Sequence, residues 1–213
     1  MKDYTAANIR NIGVFGHGGE GKTTLTEAML FNAGLLERLG KVENGTTTTD
    51  FDPEEIKRTI SINAALAPLE WKDTKINFID TPGFLDFQGE VDAGIRVADA
   101  GIIVLDGKAG VEVGAELAWD KTTDAGIPKA FFINKSDDPD AHFDKVFEQL
   151  HEQFGSAVCP VLVPYKDGKN VFFLNLIERK AYSFDAKGSR TTADFDDKME
   201  ELASQYTDTL SEA

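Results

Sequence analysis

The stretch Gly16-His17-Gly18-Gly19-Glu20-Gly21-Lys22-Thr23 fits the phosphate-loop pattern G-x-x-x-x-G-K-[ST] and follows the strand-like run Asn11-Ile12-Gly13-Val14-Phe15. It constrains the fold more than any other feature of the chain, because such a loop works only where a strand turns into a helix. The glycines let backbone N–H groups close around phosphates, Lys22 can reach the β and γ oxygens, and the Thr23 hydroxyl can ligate magnesium at a helix N-terminus. A glycine-rich turn can also serve the backbone alone. Two further motifs, in order along the chain, decide for a nucleotide.

The first is Asp80-Thr81-Pro82-Gly83, directly after the apolar run Ile76-Asn77-Phe78-Ile79 and so at the end of a buried strand, where α/β folds place their ligands. Asp80 can hold magnesium through a water, and the Gly83 N–H can face a γ phosphate. The second is Asn134-Lys135-Ser136-Asp137, after the strand Ala130-Phe131-Phe132-Ile133. Guanine presents N1–H and an exocyclic N2 amine, which the Asp137 carboxylate can accept together, whereas adenine offers no such donor pair. Either tetrapeptide alone could be a polar strand-to-helix turn. All three at successive strand ends predict a GTPase.

With 213 residues and 41% hydrophobic content, the chain can bury one α/β core and a small second subdomain. No apolar stretch approaches the ~20 residues of a membrane span, and the first ten residues lack the apolar core of a signal peptide. The expectation is a soluble, cytoplasmic, monomeric protein without a membrane partner. Cys159, beside Val158 and Val161, reads as a buried inert thiol in a strand, and His17, His142 and His151 are too scattered for a zinc site. His142 and His151 fall on a helix whose apolar stripe is Phe143, Val146, Phe147, Leu150 and Phe154. A net charge of −15 argues against bulk nucleic-acid binding by this segment, and the acidic run at 194–201 reads as a solvated face.

Residues 10–133 alternate between strand and helix patterns, which predicts a mostly parallel sheet with helices on both faces. Strands are expected at 11–15, 60–69, 75–79, 101–105 and 130–133, and helices at 22–35, about 88–98, 112–125 and 139–154. Lys72-Asp73 is too short a turn for a crossover, so 60–69 and 75–79 should form an antiparallel hairpin at the sheet edge. Residues 36–59 have no apolar period and carry Gly40, Asn44-Gly45 and Thr46-Thr47-Thr48-Thr49; they are expected to be a mobile loop. Such a loop lies where GTPases carry the segment ordered by the γ phosphate and magnesium. Short strands around Lys166-Asp167-Gly168-Lys169 and at 180–184, then an amphipathic helix near 194–211, suggest a small α+β subdomain. The expected division is a P-loop GTPase core at 1–156 and an inserted subdomain at 157–213.

On these residues the chain resembles the GTPase domain of elongation factor G and its ribosomal relatives. Arg10-Asn11-Ile12-Gly13 leads into Gly16-His17 and Gly21-Lys22-Thr23-Thr24, similar to that family's phosphate loop with its histidine and doubled threonine. Arg58-Thr59-Ile60-Ser61-Ile62 resembles R-G-I-T-I, and DTPGFLDF at 80–87 resembles DTPGHVDF. The segment 158–184, with Pro160-Val161 and Lys180-Ala181-Tyr182, is similar to the subdomain elongation factor G inserts after its N-K-x-D motif. The resemblance implies Mg2+ as cofactor, GTP and GDP as substrate and product, and the ribosome as partner through the full-length protein. It puts the nucleotide on Gly16, His17, Gly18, Gly19, Glu20, Gly21, Lys22, Thr23, Thr24, Asp80, Gly83, Asn134, Lys135 and Asp137. Metal falls to Thr23, Ser61 and Asp80, and the catalytic positions to Lys22, Gly83 and Phe84.

Four residues depart from the family pattern. Ser61 replaces the magnesium-binding threonine and keeps its hydroxyl, and Thr59 replaces a glycine. Gly19 replaces an aspartate that helps place a monovalent cation. Phe84 replaces the histidine that orients the attacking water, and phenylalanine neither donates nor accepts a hydrogen bond. His17 or Glu20 could orient the water in its place. Ser156-Ala157 does not read as the family's Ser-Ala guanine motif, since no core strand precedes it; the chain is expected to be an N-terminal fragment that stops before that motif. A GTP-sensing module with negligible hydrolysis and a ribosome-protection or release-type factor remain open beside a hydrolysing elongation-factor-G-like domain.

Overall fold

The computed structural model describes residues 2–168, 170–185 and 188–212, with side chains described through residue 207. It divides into two compact units, Met1–Ala141 and His142–Ala213.

In the first unit, β1 (Ile9–Phe15) is the central strand of a five-stranded sheet. It pairs in parallel with β3 (Thr74–Asp80) on one side and β4 (Ala100–Asp106) on the other, and β5 (Lys129–Asn134) continues in parallel from β4. The expected edge hairpin is present: β2 (Ala65–Trp71) runs antiparallel to β3 across a turn in which Lys72 and Asp73 both adopt left-handed φ angles of 45° and 60°. Alternate residues of a strand face opposite ways. Val14 and Phe15 are both fully buried, so both faces of β1 are covered. On one face Val14 packs with Leu30 and Met29 of α1 (Lys22–Asn32). On the other, Gly94 of α3 (Gln88–Val97) approaches the Phe15 ring, while α4 (Val113–Asp124) also lies against β4 and β1. Because β1, β3, β4 and β5 are parallel, their C-terminal ends share one edge, and all three sequence motifs fall there.

The first unit differs from expectation between residues 36 and 64. Residues 53–58 are a helix, α2 (Pro53–Arg58), opened by Asp52, whose side chain accepts from Glu54 N while Glu55 reaches back to Asp52 N, with Pro53 in the first turn. That Asp-Pro-x-Glu start is a helix signal in the sequence itself. The stretch 46–50 is drawn inward, leaving Thr47, Thr49 and Asp50 buried. Residues 60–64 do not join β2. Glu55 Oε1 takes the Ile62 and Asn63 amides at 2.9 and 3.0 Å, and Glu90 Oε2 takes the Ala64 amide at 2.8 Å, so these donors are turned to side chains instead of a ladder.

The second unit holds α5 (Phe143–Phe154), an antiparallel sheet in the order β6 (Leu162–Asp167), β7 (Asn170–Asn175), β8 (Lys180–Phe184), β9 (Arg190–Asp194), and α6 (Asp197–Glu212). Its core joins Val163, Leu174, Leu176 and Ala181 to Met199 and Ala203 of α6, with Phe143 against it. The division falls before α5 and not at 156, because Phe143 and Phe147 pack edge-on against Tyr206 and the Tyr206 hydroxyl donates to Asp144. Helix α5 starts at Phe143 and not at 139, with His142 as its flanking residue, and Asp194 closes a strand where a helix was expected. Cys159 is half-buried and precedes β6, outside any strand. Among the described residues no helix is long and apolar enough to cross a membrane.

Candidate nucleotide site

Beyond Phe15 the chain turns through Gly16, Gly19 and Gly21, at φ angles of 136°, 86° and 92°, before α1 begins at Lys22. Glycine at 16 is also a matter of space, since a Cβ there would lie 2.4 Å from the Val104 carbonyl oxygen. Lys22 is 6% exposed, and its ammonium donates to the Gly16 and His17 carbonyls at 3.0 and 2.6 Å. Burial lowers its pKa, against the raising influence of Glu20, Asp80 and Asp50. An ammonium already resting on the loop is placed to swing onto an incoming phosphate.

Beside it the hydroxyls of Thr23 and Ser61 lie 3.0 Å apart. Thr59, which stands two residues before, adopts a left-handed φ of 55°, the conformation that glycine takes without strain. Asp80, at the end of β3, is 2% exposed; Thr49 Oγ1 donates to its Oδ2 at 2.7 Å and its Oδ1 has no partner among the described residues. Burial pushes the Asp80 carboxyl up to about 6, partly offset by the hydrogen bonds from Thr49 and Thr23. Asp50 is raised for the same reason. Two converging hydroxyls, an orphaned carboxylate oxygen and a second buried acid make a donor set of hard oxygens that suits Mg2+.

At the other end, Asn134 Nδ2 donates to the Glu20 carbonyl at 2.8 Å, and Lys135 Nζ donates to the Gly19 carbonyl at 2.8 Å and to Asp106 Oδ2 at 2.7 Å. Burial pulls the Asp106 carboxyl upward, but the Lys135 ammonium and the Lys108 and Ala109 amides outweigh it and hold its pKa below the usual value. Asp137 is exposed on the turn closed by Asp138 N to Lys135 O. The third motif therefore touches the phosphate loop through two residues and leaves its carboxylate outside.

A cavity of about 380 Å³ opens beside the phosphate loop, lined among others by Gly18, Gly21, Lys22, Thr23, Ser61, Gly83, Phe84 and Lys135. Asp50, Val42 and Glu43 also line it, from the segment 36–59 expected to be a mobile loop. Gly83 is pressed against the phosphate loop: a Cβ on it would lie 2.3 Å from Lys22 Nζ and 2.6 Å from Gly18 N. Phe84 lies over Gly18, where a Cβ would meet its ring at 3.1 Å. Neither His17 nor Glu20 lines the cavity. Glu20 is 1% exposed with its carboxylate on the His17 amide, and His17 Nε2 faces Glu112 at 3.9 Å. Ser156 and Ala157 belong to the second unit.

Sequence reasoning missed Thr49, Asp50 and Glu55. Glu55 could have been found from the Asp52-Pro53-Glu54-Glu55 helix start; Asp50 and Thr49 carry no local signal.

A family profile described as the elongation factor Tu GTP binding domain matches residues 7–210. Ribosome-releasing factor 2, mitochondrial, from Scheffersomyces stipitis is 42% identical over 176 residues, which cover 81% of this chain and 21% of that protein. Elongation factor G from Granulibacter bethesdensis is 36% identical over 216 residues, 99% of this chain and 31% of the relative. A crystal structure of a protein from Thermus thermophilus superposes with a TM-score of 0.87 at 33% identity, over 94% of this chain and 30% of that one. The chain thus spans between about a fifth and a third of the length of these relatives.

Proposed function

Since the chain belongs to the elongation factor Tu GTP binding domain family, as a GTPase domain of the elongation-factor-G-like kind, we propose that it binds GTP with Mg2+ in the cavity above β1 and hydrolyses it to GDP and phosphate. The observation that carries this is the convergence of Lys22, Thr23, Ser61 and Gly83 on that cavity, from three separate stretches of sequence, with Asp80 buried at the end of β3. Lys22 would leave the Gly16 and His17 carbonyls for the β and γ oxygens, and the Gly83 N–H would face the γ phosphate. Thr23 and Ser61 would hold Mg2+ directly and Asp80 through a water; the bound ion would neutralise charge on the phosphates. Water forms a bond to the γ phosphorus, the bond to the β–γ bridging oxygen breaks, and the water's proton leaves with the phosphate. Loss of the γ phosphate then frees the segment carrying Asp50 and Ser61, which makes residues 36–61 the switch.

Asn134, Lys135 and Asp137 would take the guanine side, with Asp137 accepting from N1–H and N2 once the base is present. The ribosome is the proposed partner, through the full-length protein, and the domain acts as a monomer in the cytoplasm without bulk nucleic-acid contact of its own. Phe84 favours a second reading: it stands where the family resemblance puts a water-orienting histidine, and a phenylalanine 40% exposed beside Gly18 offers no hydrogen bond. On that reading the domain senses GTP and hydrolyses it negligibly. Phosphate release over many turnovers by the full-length protein, with and without ribosomes, separates the two. Release that ribosomes stimulate supports hydrolysis; release at the uncatalysed rate in both conditions supports the sensor.

A further inference from the structure

Glu20 is the acidic side chain of the phosphate loop, and the fold turns it inward. Its Oε2 accepts the His17 N–H at 2.5 Å, while its buried Oε1 has no partner among the described residues. A Cβ on Gly16 would lie 2.4 Å from Oε2, so the loop's first glycine leaves the room that this carboxylate fills. The backbone oxygen of Glu20 accepts from Asn134 Nδ2. Residue 20 is thereby tied to the start of the loop by its side chain and to the end of β5 by its backbone. Lys22 holds the Gly16 and His17 carbonyls while Glu20 holds the His17 amide, so the start of the loop is gripped from both sides.

Resting on the reading of the cavity as a nucleotide site, we propose that Glu20 is a positioning residue that braces the phosphate loop through the His17 amide. As an acid enclosed behind the phosphate loop, with one carboxylate oxygen unpartnered among the described residues, it also couples polyphosphate binding to uptake of a proton from solvent. The groups facing it oppose one another. Burial dominates and, with Glu112 and Asp106 acting in the same direction, pushes the carboxyl up to about 7; Lys22 and the His17 amide pull it down. Lys135 is engaged with Asp106 and the Gly19 carbonyl. Phosphates entering the loop add negative charge beside the carboxyl and raise its pKa further. A group with a higher pKa in the bound state contributes affinity that is complete at low pH and is lost as pH rises through that bound-state value.

The test is calorimetric titration of this chain with GDP and Mg2+ from about pH 6 to about pH 8.5, where a one-unit rise on binding gives a ~10-fold change in affinity. Glu20→Gln keeps an acceptor for the His17 amide and removes the charge; Glu20→Ala removes both. Wild-type affinity should fall with pH about tenfold more than that of Glu20→Gln, because the nucleotide's own phosphate titrates equally in both. Near neutral pH, two buffers of different ionisation enthalpy should report more proton uptake by wild type than by Glu20→Gln. Glu20→Ala should bind about tenfold more weakly than Glu20→Gln at the acid end, the loss of a charge-free brace of roughly one hydrogen bond. Matching pH profiles and proton uptake in wild type and Glu20→Gln would overturn the coupling. Equal affinities of Glu20→Ala and Glu20→Gln would overturn the brace. Failure of the wild type to bind GDP at any pH would instead remove the nucleotide reading on which both stand.

Discussion

At the phosphate end of the cavity Lys22, Thr23, Asp50 and Asp80 are 6%, 7%, 5% and 2% exposed, and hydrogen bonds join Thr23 to Ser61 and Thr49 to Asp80. At the end proposed for the base the Lys135 side chain is 43% exposed and Asp137 is exposed. The difference follows from where each sits on the fold. The phosphate loop rises from the central strand and residues such as Asp50, Ser61, Gly83 and Phe84 gather around it, whereas Asn134 ends the outermost strand β5 and residues 135–137 after it are exposed. Charges that are buried and held need little reorganisation when a phosphate arrives; an exposed carboxylate must be ordered by the base it reads. The phosphate end should therefore supply most of the affinity, and the base end the choice between nucleotides.

Lys22→Ala attacks that comparison hardest. Losing two charge-assisted hydrogen bonds of ~1.5–3 kcal/mol each should weaken GTP binding by about a hundredfold to a thousandfold or more. Calorimetry showing a loss below tenfold would mean that Lys22 stays on the Gly16 and His17 carbonyls and that the phosphate end is not dominant. Next comes Phe84→His, which leaves Lys22 and the Gly83 amide in place. Its GTP affinity should match wild type, while single-turnover hydrolysis on saturating ribosomes should rise about a hundredfold or more, the usual worth of a positioned acid–base group. An unchanged or slower rate would show that the water is oriented from elsewhere.

Asp137→Asn probes the base end alone. It should weaken GTP about tenfold or more, since one or two hydrogen bonds are lost, and favour xanthosine triphosphate, which carries a carbonyl in place of the N2 amine. Equal GTP affinity in competition titrations would detach Asp137 from the base. The smallest effect concerns the cost of burying acids without a ligand. Asp80 and Glu20 are raised to about 6 and about 7, chiefly by burial. Carboxyls raised in the folded state contribute stability that is complete below their unfolded values and lost as pH rises through the folded ones. The ligand-free protein should thus melt a few degrees lower at about pH 8 than at about pH 5, relative to a Glu20→Gln/Asp80→Asn variant, at ~2–4 °C per kcal/mol. Parallel melting curves would show that burial at the phosphate end carries no such cost.

The sheet, its edge hairpin and the three motifs were legible because each rests on local pattern: apolar runs that end in residues with one chemical use. Ser61 was singled out by the resemblance of Arg58-Thr59-Ile60-Ser61-Ile62 to R-G-I-T-I, and its hydroxyl lies 3.0 Å from that of Thr23. What escaped was decided by distant partners. Nothing near Asp50 or Thr49 announces that the chain folds them onto Thr23, Ser61 and Asp80, and the inward turn of Glu20 depends on the absent side chain of Gly16. Residues 60–64 have the composition of a strand, yet their amides go to Glu55 and Glu90. The unit boundary escaped because α5 finds its apolar partner, Tyr206, far along the chain.

The central claim is that these two ends together make a guanine-nucleotide site, and titration calorimetry of the wild-type chain with GTP and with ATP, both with Mg2+, tests it most directly. The phosphate end cannot distinguish the two nucleotides, so any preference must come from Asn134, Lys135 and Asp137. The account predicts clear GTP binding and ATP binding at least about tenfold weaker, the worth of one or two hydrogen bonds to the base. ATP bound as tightly as GTP would contradict it.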